Sequence, residues 1–205
     1  MPSDTLKAIA LNCTLKPGKD ASSTDKLLGE VLSALRHHDV SGEVIRVVNL
    51  NIKPGVTSDE GAGDDWPALR SKILAADVLI MGTPIWLGQP SSVAKRVMER
   101  MDAFLGETDE QGRMPSFGKL AIVAVVGNED GAHHCHAEIF QALNDVGFTI
   151  PAGGATYWVG EAMGSTDYKD LPKPYDNTVQ TTKMLAANAA HLARLLKAAT
   201  YPGVS

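Results

Sequence analysis

Ten consecutive residues in the second half of the chain carry side chains that could bind a metal. Residues 127–136, with the sequence GNEDGAHHCH, contain three histidines, one cysteine and two carboxylates. Imidazole, thiolate and carboxylate groups are the usual protein ligands of zinc. A zinc site on a helix places two of them four residues apart, so that both side chains point the same way. The segment could therefore belong to a metal centre.

The spacing of the histidines argues against that interpretation. His133, His134 and His136 lie one, two and three positions apart, so only the first and the last could share a helix face. No C-x-x-C pair supplies further ligands, and we predict no metal site. If a helix begins with Asp130 as its N-cap, His136 lies on the apolar face as a core residue with satisfied hydrogen bonds. His133 then lies in the first turn, close enough to approach a ligand.

Composition limits the class of protein. The 205 residues are 44% hydrophobic and 21% charged, which is typical of a globular protein and long enough for one domain over residues 1–205. A net charge of -5, with no basic stripe, argues against nucleic acid as a partner, and we expect no membrane partner. Residues 1–5 lack a basic leader, and Cys13 and Cys135 suit a reducing compartment, so we expect a cytoplasmic protein.

Strand-like and helix-like segments alternate along the chain. Short apolar runs predict buried strands at 6–13, 43–50, 77–84, 119–127 and 155–159. Helical spacing of apolar residues follows at 27–35, 66–74, 93–104, 139–146 and 178–199, with Pro90 in the first turn of the third helix. This order predicts an open parallel sheet with helices on both faces, whose ligand lies at the carboxyl ends of the strands. The loops 12–24, 84–90 and 127–133 are therefore expected to form the site.

The first of these loops is suited to an anion. Hydroxyl groups lie at both of its ends, at Thr14 and at Ser22–Thr24, and Lys16 and Lys19 lie between them. A helix N-terminus offers unpaired N–H groups and the positive end of the helix dipole to a phosphate. The alternative is that the serines and threonine only cap the helix. The G-x-G-x-x-G and Walker A motifs of other nucleotide-binding proteins are absent.

The other two loops could enclose a flat ring. Trp86 and its apolar neighbours lie in a turn bounded by proline and glycine, where they could form a wall, although a lone tryptophan could also pack into the core. Gly127 and Gly131 permit close backbone approach, and the residues between them offer polar contacts to a ring edge.

Together the three loops resemble those of a known family. The segments NCTLKPGKDASSTDKLL, GTPIWLGQPSSVAKRVMERM and VVGNEDGAHH are similar to the flavodoxin-like NAD(P)H-dependent FMN reductases and related flavoprotein oxidoreductases, over about residues 7–158. The resemblance implies a flavodoxin-like, doubly wound α/β fold with a five-stranded parallel sheet in the order 2-1-3-4-5 and helices on both faces. It also implies FMN as cofactor, NADPH or NADH as co-substrate, and a homo-oligomer, usually a homodimer.

The resemblance also implies a set of binding residues. By this resemblance the first loop binds the phosphate, the second loop binds the isoalloxazine ring, and the third loop contacts the remaining edge of the ring. The implied FMN-binding residues are Thr14, Lys16, Ser22, Ser23, Thr24, Pro84, Ile85, Trp86, Leu87, Gly88, Gly127, Asn128, Glu129, Asp130, Gly131 and His133. Many relatives have a G-S-P-R loop instead, so Lys16 or Lys19 would replace its arginine as the counter-charge. No catalytic acid or base is assigned, because the flavin carries the redox chemistry.

Three functions remain as hypotheses. The first is an oxidoreductase that passes hydride from NAD(P)H through FMN to a small acceptor, such as a quinone, a free flavin, a nitro or azo compound, or iron. The second is a flavin-binding electron carrier or sensor that acts with a protein partner, and the third is a metal-binding module. The long segments 52–65 and 160–177 could serve as a cofactor lid or as a docking surface. Tyr157, Trp158 and the stretch to Tyr168 could contact a second protomer, or could form an ordinary last strand and surface loop.

Overall fold

A computed structural model describes residues 5–204. Residues 1–4 and 205 lie outside the described residues. Most of the expectation about a leader depends on residues 1–4, so the structure does not bear on it. The strands are β1 (Leu6–Asn12), β2 (Val40–Arg46), β3 (Val78–Trp86), β4 (Gln89–Pro90), β5 (Leu120–Gly127) and β6 (Ala155–Val159). The α-helices are α1 (Ser23–Arg36), α2 (Trp66–Leu74), α3 (Ser92–Met101), α4 (Ala132–Asp145) and α5 (Asp176–Ala198).

Five parallel strands form the sheet, in the order β2-β1-β3-β5-β6. Because the two-residue β4 pairs only with β3, in an antiparallel hairpin, this is the predicted flavodoxin-like order 2-1-3-4-5. The strand order reverses between β1 and β3, where a doubly wound sheet forms its binding crevice. β2 begins three residues earlier than predicted, and residues 47–49 form a 3-10 turn in place of its predicted end.

Helices cover the sheet on both faces. Alternate side chains of β5 show this, since Ile122 packs in the apolar cluster with α1 and α5 while Val123 packs in the cluster with α2, α3 and α4. Complete burial of one such aliphatic side chain contributes about 1.5–3 kcal/mol to folding. The continuous apolar run of β5 is therefore explained by burial on both sides. Within residues 5–204, none of the helices combines the length and the apolar character needed to cross a lipid bilayer.

A hairpin at the end of β3 was not predicted. Leu87 and Gly88 connect β3 to β4 with φ angles of 53° and 74°, as in a type I′ turn. Pro90 pairs with Ile85 in this hairpin, so its predicted place in the first turn of α3 is wrong. Ser91 caps α3 instead, and its hydroxyl accepts a hydrogen bond from the backbone N–H of Ala94 at 3.2 Å.

The long loop 52–65 is tied to α3 by one buried arginine. Arg100 is fully buried, forms an ion pair with Asp64 at 2.8 Å, and donates hydrogen bonds to the carbonyl oxygens of Lys53 and Thr57. Burial raises the pKa of Asp64. The N–H donors of Glu60, Trp66 and Lys53 and the arginine outweigh this and lower it to about 2. The buried ion pair and the hydrogen bonds of Arg100 therefore fix loop 52–65 to α3.

Candidate functional site

A cavity of about 300 Å³ lies at the carboxyl ends of β1, β3 and β5, where the strand order reverses. Its volume is at the lower end of the range for sites that bind small molecules. Eleven of the sixteen predicted residues line it: Thr14, Lys16, Ser22, Ser23, Thr24, Pro84, Ile85, Trp86, Gly127, Asn128 and Glu129. The three predicted loops therefore meet around one space.

The other five predicted residues do not line this cavity. Leu87 points outward with 91% of its side chain exposed. Gly88 and Gly131 lie against each other, Asp130 is exposed, and the ring of His133 packs against β6. The helix α4 begins one residue later than predicted, with Gly131 in place of Asp130 at its N-cap.

Five lining residues were not predicted. They are Leu15, Val126, Met163, Gly164 and Asp167. The first two adjoin predicted positions. Met163, Gly164 and Asp167 follow β6. Their place after a predicted parallel strand could have identified them, because the carboxyl ends of neighbouring parallel strands lie at the same edge of the sheet.

One end of the cavity is formed by the N-terminus of α1. Ser22 caps this helix, with its hydroxyl accepting a hydrogen bond from the N–H of Asp25 at 3.3 Å. Ser22 and Thr24 also line the cavity, so the segment does more than cap the helix, and anion binding by it stays a prediction. The N–H groups of the first turn lack carbonyl partners within the helix, and together with the hydroxyl groups they are suited to an anion.

A cation from β2 holds the first loop in place. Arg46 donates hydrogen bonds to the carbonyl oxygens of Gly18 and Asp20 at 3.1 and 2.8 Å, and forms an ion pair with Asp25 at 3.4 Å. This arginine does not line the cavity, whereas Lys16 does and Lys19 does not. Of the two lysines expected as counter-charges, Lys16 alone lines the cavity.

The other end of the cavity is apolar and tightly built. Trp86 is 52% exposed, so it is not part of the core and presents a face to the cavity. Gly127 lies directly against Ile85, where an added Cβ would come within 2.9 Å of the isoleucine Cβ. A flat apolar group could therefore lie along this wall.

The segment after β6 closes the third side. The N–H groups of Gly160 and Met163 donate to the carbonyl oxygens of Gly127 and Asn128 at 3.0 and 3.1 Å. The Asn128 side chain donates to the carbonyl oxygen of Gly164 at 3.0 Å. Residues 160–164 thus extend the wall formed by the third loop.

The backbones of Gly131 and Gly88 lie close together beside the site. Gly131 has a φ of 125°, and a Cβ built on it would lie 2.7 Å from both the Cα and the carbonyl oxygen of Gly88. Side-chain rotation cannot relieve an overlap with backbone atoms. A side chain at position 131 would therefore overlap the second loop, whereas at Gly88 there is space for a Cβ and it is the φ of 74° that favours glycine.

Gly131→Ala is expected to lower the free energy of unfolding by about 1–3 kcal/mol, because overpacking is added to left-handed backbone strain. Urea denaturation measures this loss. Gly61→Ala is the matched control, since Gly61 also has a positive φ of 84° but its Cβ would meet nothing within 4 Å. Equal losses in the two variants would show that contact between the loops is unimportant.

The histidines lie outside the cavity. The ring of His133 meets Tyr157 edge to face, with centroids 5.2 Å apart, and that of His136 lies 5.4 Å from the same tyrosine. Within the described part of the chain His136 Nε2 is buried without a hydrogen-bond partner, so the expectation that it is satisfied is wrong. Burial and the neighbouring His133 lower the pKa of His136 to about 4. No three His, Cys, Asp or Glu side chains among residues 5–204 are arranged to hold a metal ion.

Both cysteines are buried, free thiols. Burial raises the pKa of Cys13, and burial with the charges of Glu138 and Glu129 raises the pKa of Cys135 to about 11. A thiol with a raised pKa is a poor nucleophile and a poor metal ligand. Cys135 therefore packs as a small apolar group, as predicted.

Comparison with known proteins shows a match to a protein family. Residues 6–164 match the family described as NADPH-dependent FMN reductase. The chain is 32% identical over 209 residues to the 8-demethyl-8-aminoriboflavin-5'-phosphate synthase of Streptomyces davaonensis, covering 96% of this chain and 80% of that protein. It is 36% identical over 202 residues to the divalent metal cation transporter MntH of Mycobacterium bovis. That match covers 95% of this chain but 30% of the transporter, so the chain spans less than a third of that relative.

Solved structures agree with the sheet topology. The structure of RosB with the bound intermediate 8-demethyl-8-formylriboflavin-5'-phosphate matches with a TM-score of 0.86 and 30% identity, covering 96% of this chain and 82% of that one. An apo NADH:FMN oxidoreductase, EmoB, matches with a TM-score of 0.64 and 17% identity over 93% of this chain and 90% of that one, which shows the shared fold. The chain therefore belongs to the NADPH-dependent FMN reductase family, a family of flavodoxin-like oxidoreductases that bind FMN and use NAD(P)H.

Proposed function

We propose that the chain transfers hydride from NAD(P)H through bound FMN to a small acceptor. The observation that carries this proposal is the form of the cavity, in which a helix N-terminus with hydroxyl side chains lies at one end and an apolar wall at the other. A flavin 5'-phosphate has the same two parts. The two-electron chemistry would be supplied by the flavin, and the chain has to bind it, orient it and exclude water around it.

In the proposed site the phosphate is held by the first loop and the start of α1. Hydrogen bonds would come from the hydroxyl groups and first-turn N–H groups, and the positive charge from the ammonium group of Lys16. The ring would lie between the Pro84–Trp86 segment and the Gly127–Glu129 segment. Leu87, Gly88, Asp130, Gly131 and His133 are left out of this set, because they do not line the cavity.

The residues at the mouth of the cavity are suited to binding a flat, apolar second reactant. Leu15, Trp86 and Met163 line the cavity and are 42%, 52% and 93% exposed, and Leu87, which follows Trp86 in sequence, is 91% exposed. Apolar side chains that face solvent around a cavity mark a recognition surface. A nicotinamide ring, and then a quinone or a free flavin as acceptor, suits this rim better than a hydrated iron ion does.

Three expectations about the whole protein remain part of this proposal. Residues 1–205 would form one FMN-binding domain. The chain would act as a homodimer in which the exposed apolar rim is partly covered by the partner. Free, buried thiols support a reducing compartment, such as the cytoplasm.

The similarity to the Streptomyces synthase favours a second candidate function. In that case a flavin 5'-phosphate would be the substrate that the chain modifies, and not its resident cofactor. The same anion-binding end and ring wall would serve this reaction. A flavin-binding electron carrier or sensor, acting with a protein partner, is the third possibility.

Anaerobic mixing of the FMN-loaded protein with NADPH or NADH separates these functions. We expect the absorbance of oxidised flavin to disappear within the mixing time or shortly after, and to return when a quinone is added. No bleaching at saturating nucleotide would remove the reductase proposal. A change in the mass of the flavin extracted after incubation with an amino donor would favour the synthase-like function instead.

A further inference from the structure

A second cavity, of about 650 Å³, lies at the edge of the sheet opposite to the proposed flavin site. It opens where β3 and β5 begin. The strand register pairs Val78 with Leu120, so Asp77 and Lys119, which precede these two residues, lie side by side in the cavity. The loop between α3 and β5 and the last turn of α5 form its walls. The volume is within the range for sites that bind small molecules, and the proposed function makes no use of this cavity.

Three carboxylates line the second cavity, and each already has a cationic partner. The ion pairs are Asp77 with Lys197, Glu107 with Arg70, and Asp109 with Arg113. The Asp77 carboxylate also accepts a hydrogen bond from the backbone N–H of Lys7 at 2.8 Å, and that of Asp109 accepts one from the N–H of Gln111 at 2.9 Å. The negative charges of the cavity are therefore balanced by groups of the protein itself.

Lys119 is the cation of this cavity that is left over. Among residues 5–204 its ammonium group has no ion-pair partner, and its one hydrogen bond goes to the carbonyl oxygen of Ala76 at 3.3 Å. The side chain is half-buried, and burial lowers the pKa of Lys119, an effect that the nearby Asp77 charge offsets only in part. An ammonium group has three donors, so two of them remain available. An anion in the cavity would pair this partly desolvated charge.

The charge and the surface of the cavity restrict the kind of anion. A single unpaired cation matches a single negative charge, whereas a dianion would also be repelled by the three carboxylates nearby. Met114, Pro115, Phe117 and Leu196 line the same cavity with apolar atoms. These side chains can bury an apolar body that is attached to the charged group. Inorganic anions such as phosphate have no such body.

We propose that the second cavity binds a small organic monocarboxylate with an apolar body, whose carboxylate pairs with Lys119 and whose body packs on the apolar side chains of the cavity. The site lies at the amino ends of β3 and β5, whereas the proposed flavin site lies at their carboxyl ends. The proposal therefore does not depend on the proposed function.

Benzoate is the probe that tests this site, since it has one carboxylate on a flat apolar ring. Isotope-labelled protein with FMN added is titrated with benzoate and followed by two-dimensional amide NMR. We expect shifts confined to residues 113–119 and 196–200, with a dissociation constant of about 1 mM for so small a ligand. Benzamide lacks the charge, acetate lacks the ring, and inorganic phosphate lacks the ring and carries more charge. Each of these three should bind at least about tenfold more weakly than benzoate.

Lys119→Met should weaken benzoate binding by at least about tenfold, because it removes the ammonium group and keeps much of the aliphatic stem. Lys72→Met is the matched control, with the same substitution at an exposed lysine outside the cavity, and it should leave the affinity unchanged. Circular dichroism shows whether each variant is folded, and Lys119→Gln provides the test if Lys119→Met is not.

Four results would overturn the proposal. An absence of shifts around the cavity at about 20 mM benzoate, well above the expected dissociation constant, would remove the site itself. Benzamide binding as tightly as benzoate, or equal affinities in Lys119→Met and Lys72→Met, would remove the role of the charge. Phosphate or acetate binding as tightly as benzoate would show that the assigned ligand class is wrong. These results concern the amino ends of the strands, so FMN binding at the carboxyl ends is judged separately.

Discussion

Replacing Arg100 with methionine is expected to lower the free energy of unfolding by about 3–5 kcal/mol, because Asp64 is left as an unpaired buried charge. Both side chains of this ion pair are fully buried, with 2.8 Å between Arg100 Nη1 and Asp64 Oδ2. The guanidinium also binds the carbonyl oxygens of Lys53 and Thr57, which would lose their donors. Methionine keeps much of the aliphatic stem, so the loss reports charge and hydrogen bonding. Equilibrium denaturation in urea measures it.

The surface pair between Lys72 and Glu43 is the control for this prediction. Its atoms are 3.2 Å apart, but its side chains are 55% and 61% exposed, so Lys72→Met should change stability by about 1 kcal/mol or less. A loss in Arg100→Met no larger than this would contradict the assigned role of the buried pair. Hydrogen exchange should then also show no loosening of loop 52–65.

The pH dependence of stability follows from the same pair. The folded-state pKa of Asp64 is about 2, below its ordinary value of 3.8. A depressed pKa contributes stability that is complete above the ordinary value and is lost as pH falls through the folded value. The wild type should therefore lose this contribution between about pH 4 and pH 2, whereas Arg100→Met should show a smaller loss there because its Asp64 pKa is less depressed.

Thr24→Val is expected to weaken FMN binding by about ten- to a hundredfold while changing riboflavin binding little. Thr24 is 2% exposed, belongs to the first turn of α1 and lines the end of the cavity where we propose that the phosphate binds. Valine has a similar shape, so the substitution removes the hydroxyl that would bind the phosphate. A hydrogen bond to a charged group contributes about 1.5–3 kcal/mol, and each 1.4 kcal/mol is tenfold in affinity. Titration of both flavins by fluorescence gives the two ratios.

A buried threonine elsewhere provides the comparison. Thr182 of α5 is 5% exposed and its hydroxyl lies 2.9 Å from that of Thr156, away from the cavity. Thr182→Val should lower stability without changing the ratio of FMN to riboflavin affinity. If Thr24→Val weakened both flavins equally, its hydroxyl would not be a phosphate ligand and the orientation of the ligand would need to be reversed.

The sheet could be predicted because strands buried on both faces have continuous apolar sequences. β5 is apolar at every position except its final glycine, and such a run between helical segments is typical of a strand inside a parallel sheet. The β3–β4 hairpin could not be predicted in the same way. Its turn residues are Leu87 and Gly88, and leucine is not among the residues that favour a positive φ. Pro90 then resembled the start of a helix, although it lies in a strand.

The site was predictable where it depends on the ends of strands, and less so where it depends on side-chain contacts. Thr14 follows β1, Pro84 is the last residue of β3 that pairs in parallel with β5, and Gly127 ends β5. Such strand ends meet at one edge of a sheet. Met163 and Asp167 line the cavity because their segment forms hydrogen bonds with Asn128. Hydrophobic periodicity in the sequence does not predict such a contact. His133 could not be located either, since its direction depends on packing against Tyr157 of a strand distant in sequence.

The backbone at the mouth of the cavity has a consequence for protein engineering. Leu87 and Met163 have φ angles of 53° and 63°, and their side chains are 91% and 93% exposed. A left-handed conformation costs an L-residue about 1–2 kcal/mol, so asparagine at 87 or glycine at 163 would raise thermostability without disturbing the core. Met163 also lines the cavity, where a second reactant would meet it, whereas Leu87 does not. Selection for heat resistance and selection for turnover would therefore act in opposite directions at position 163 but not at position 87.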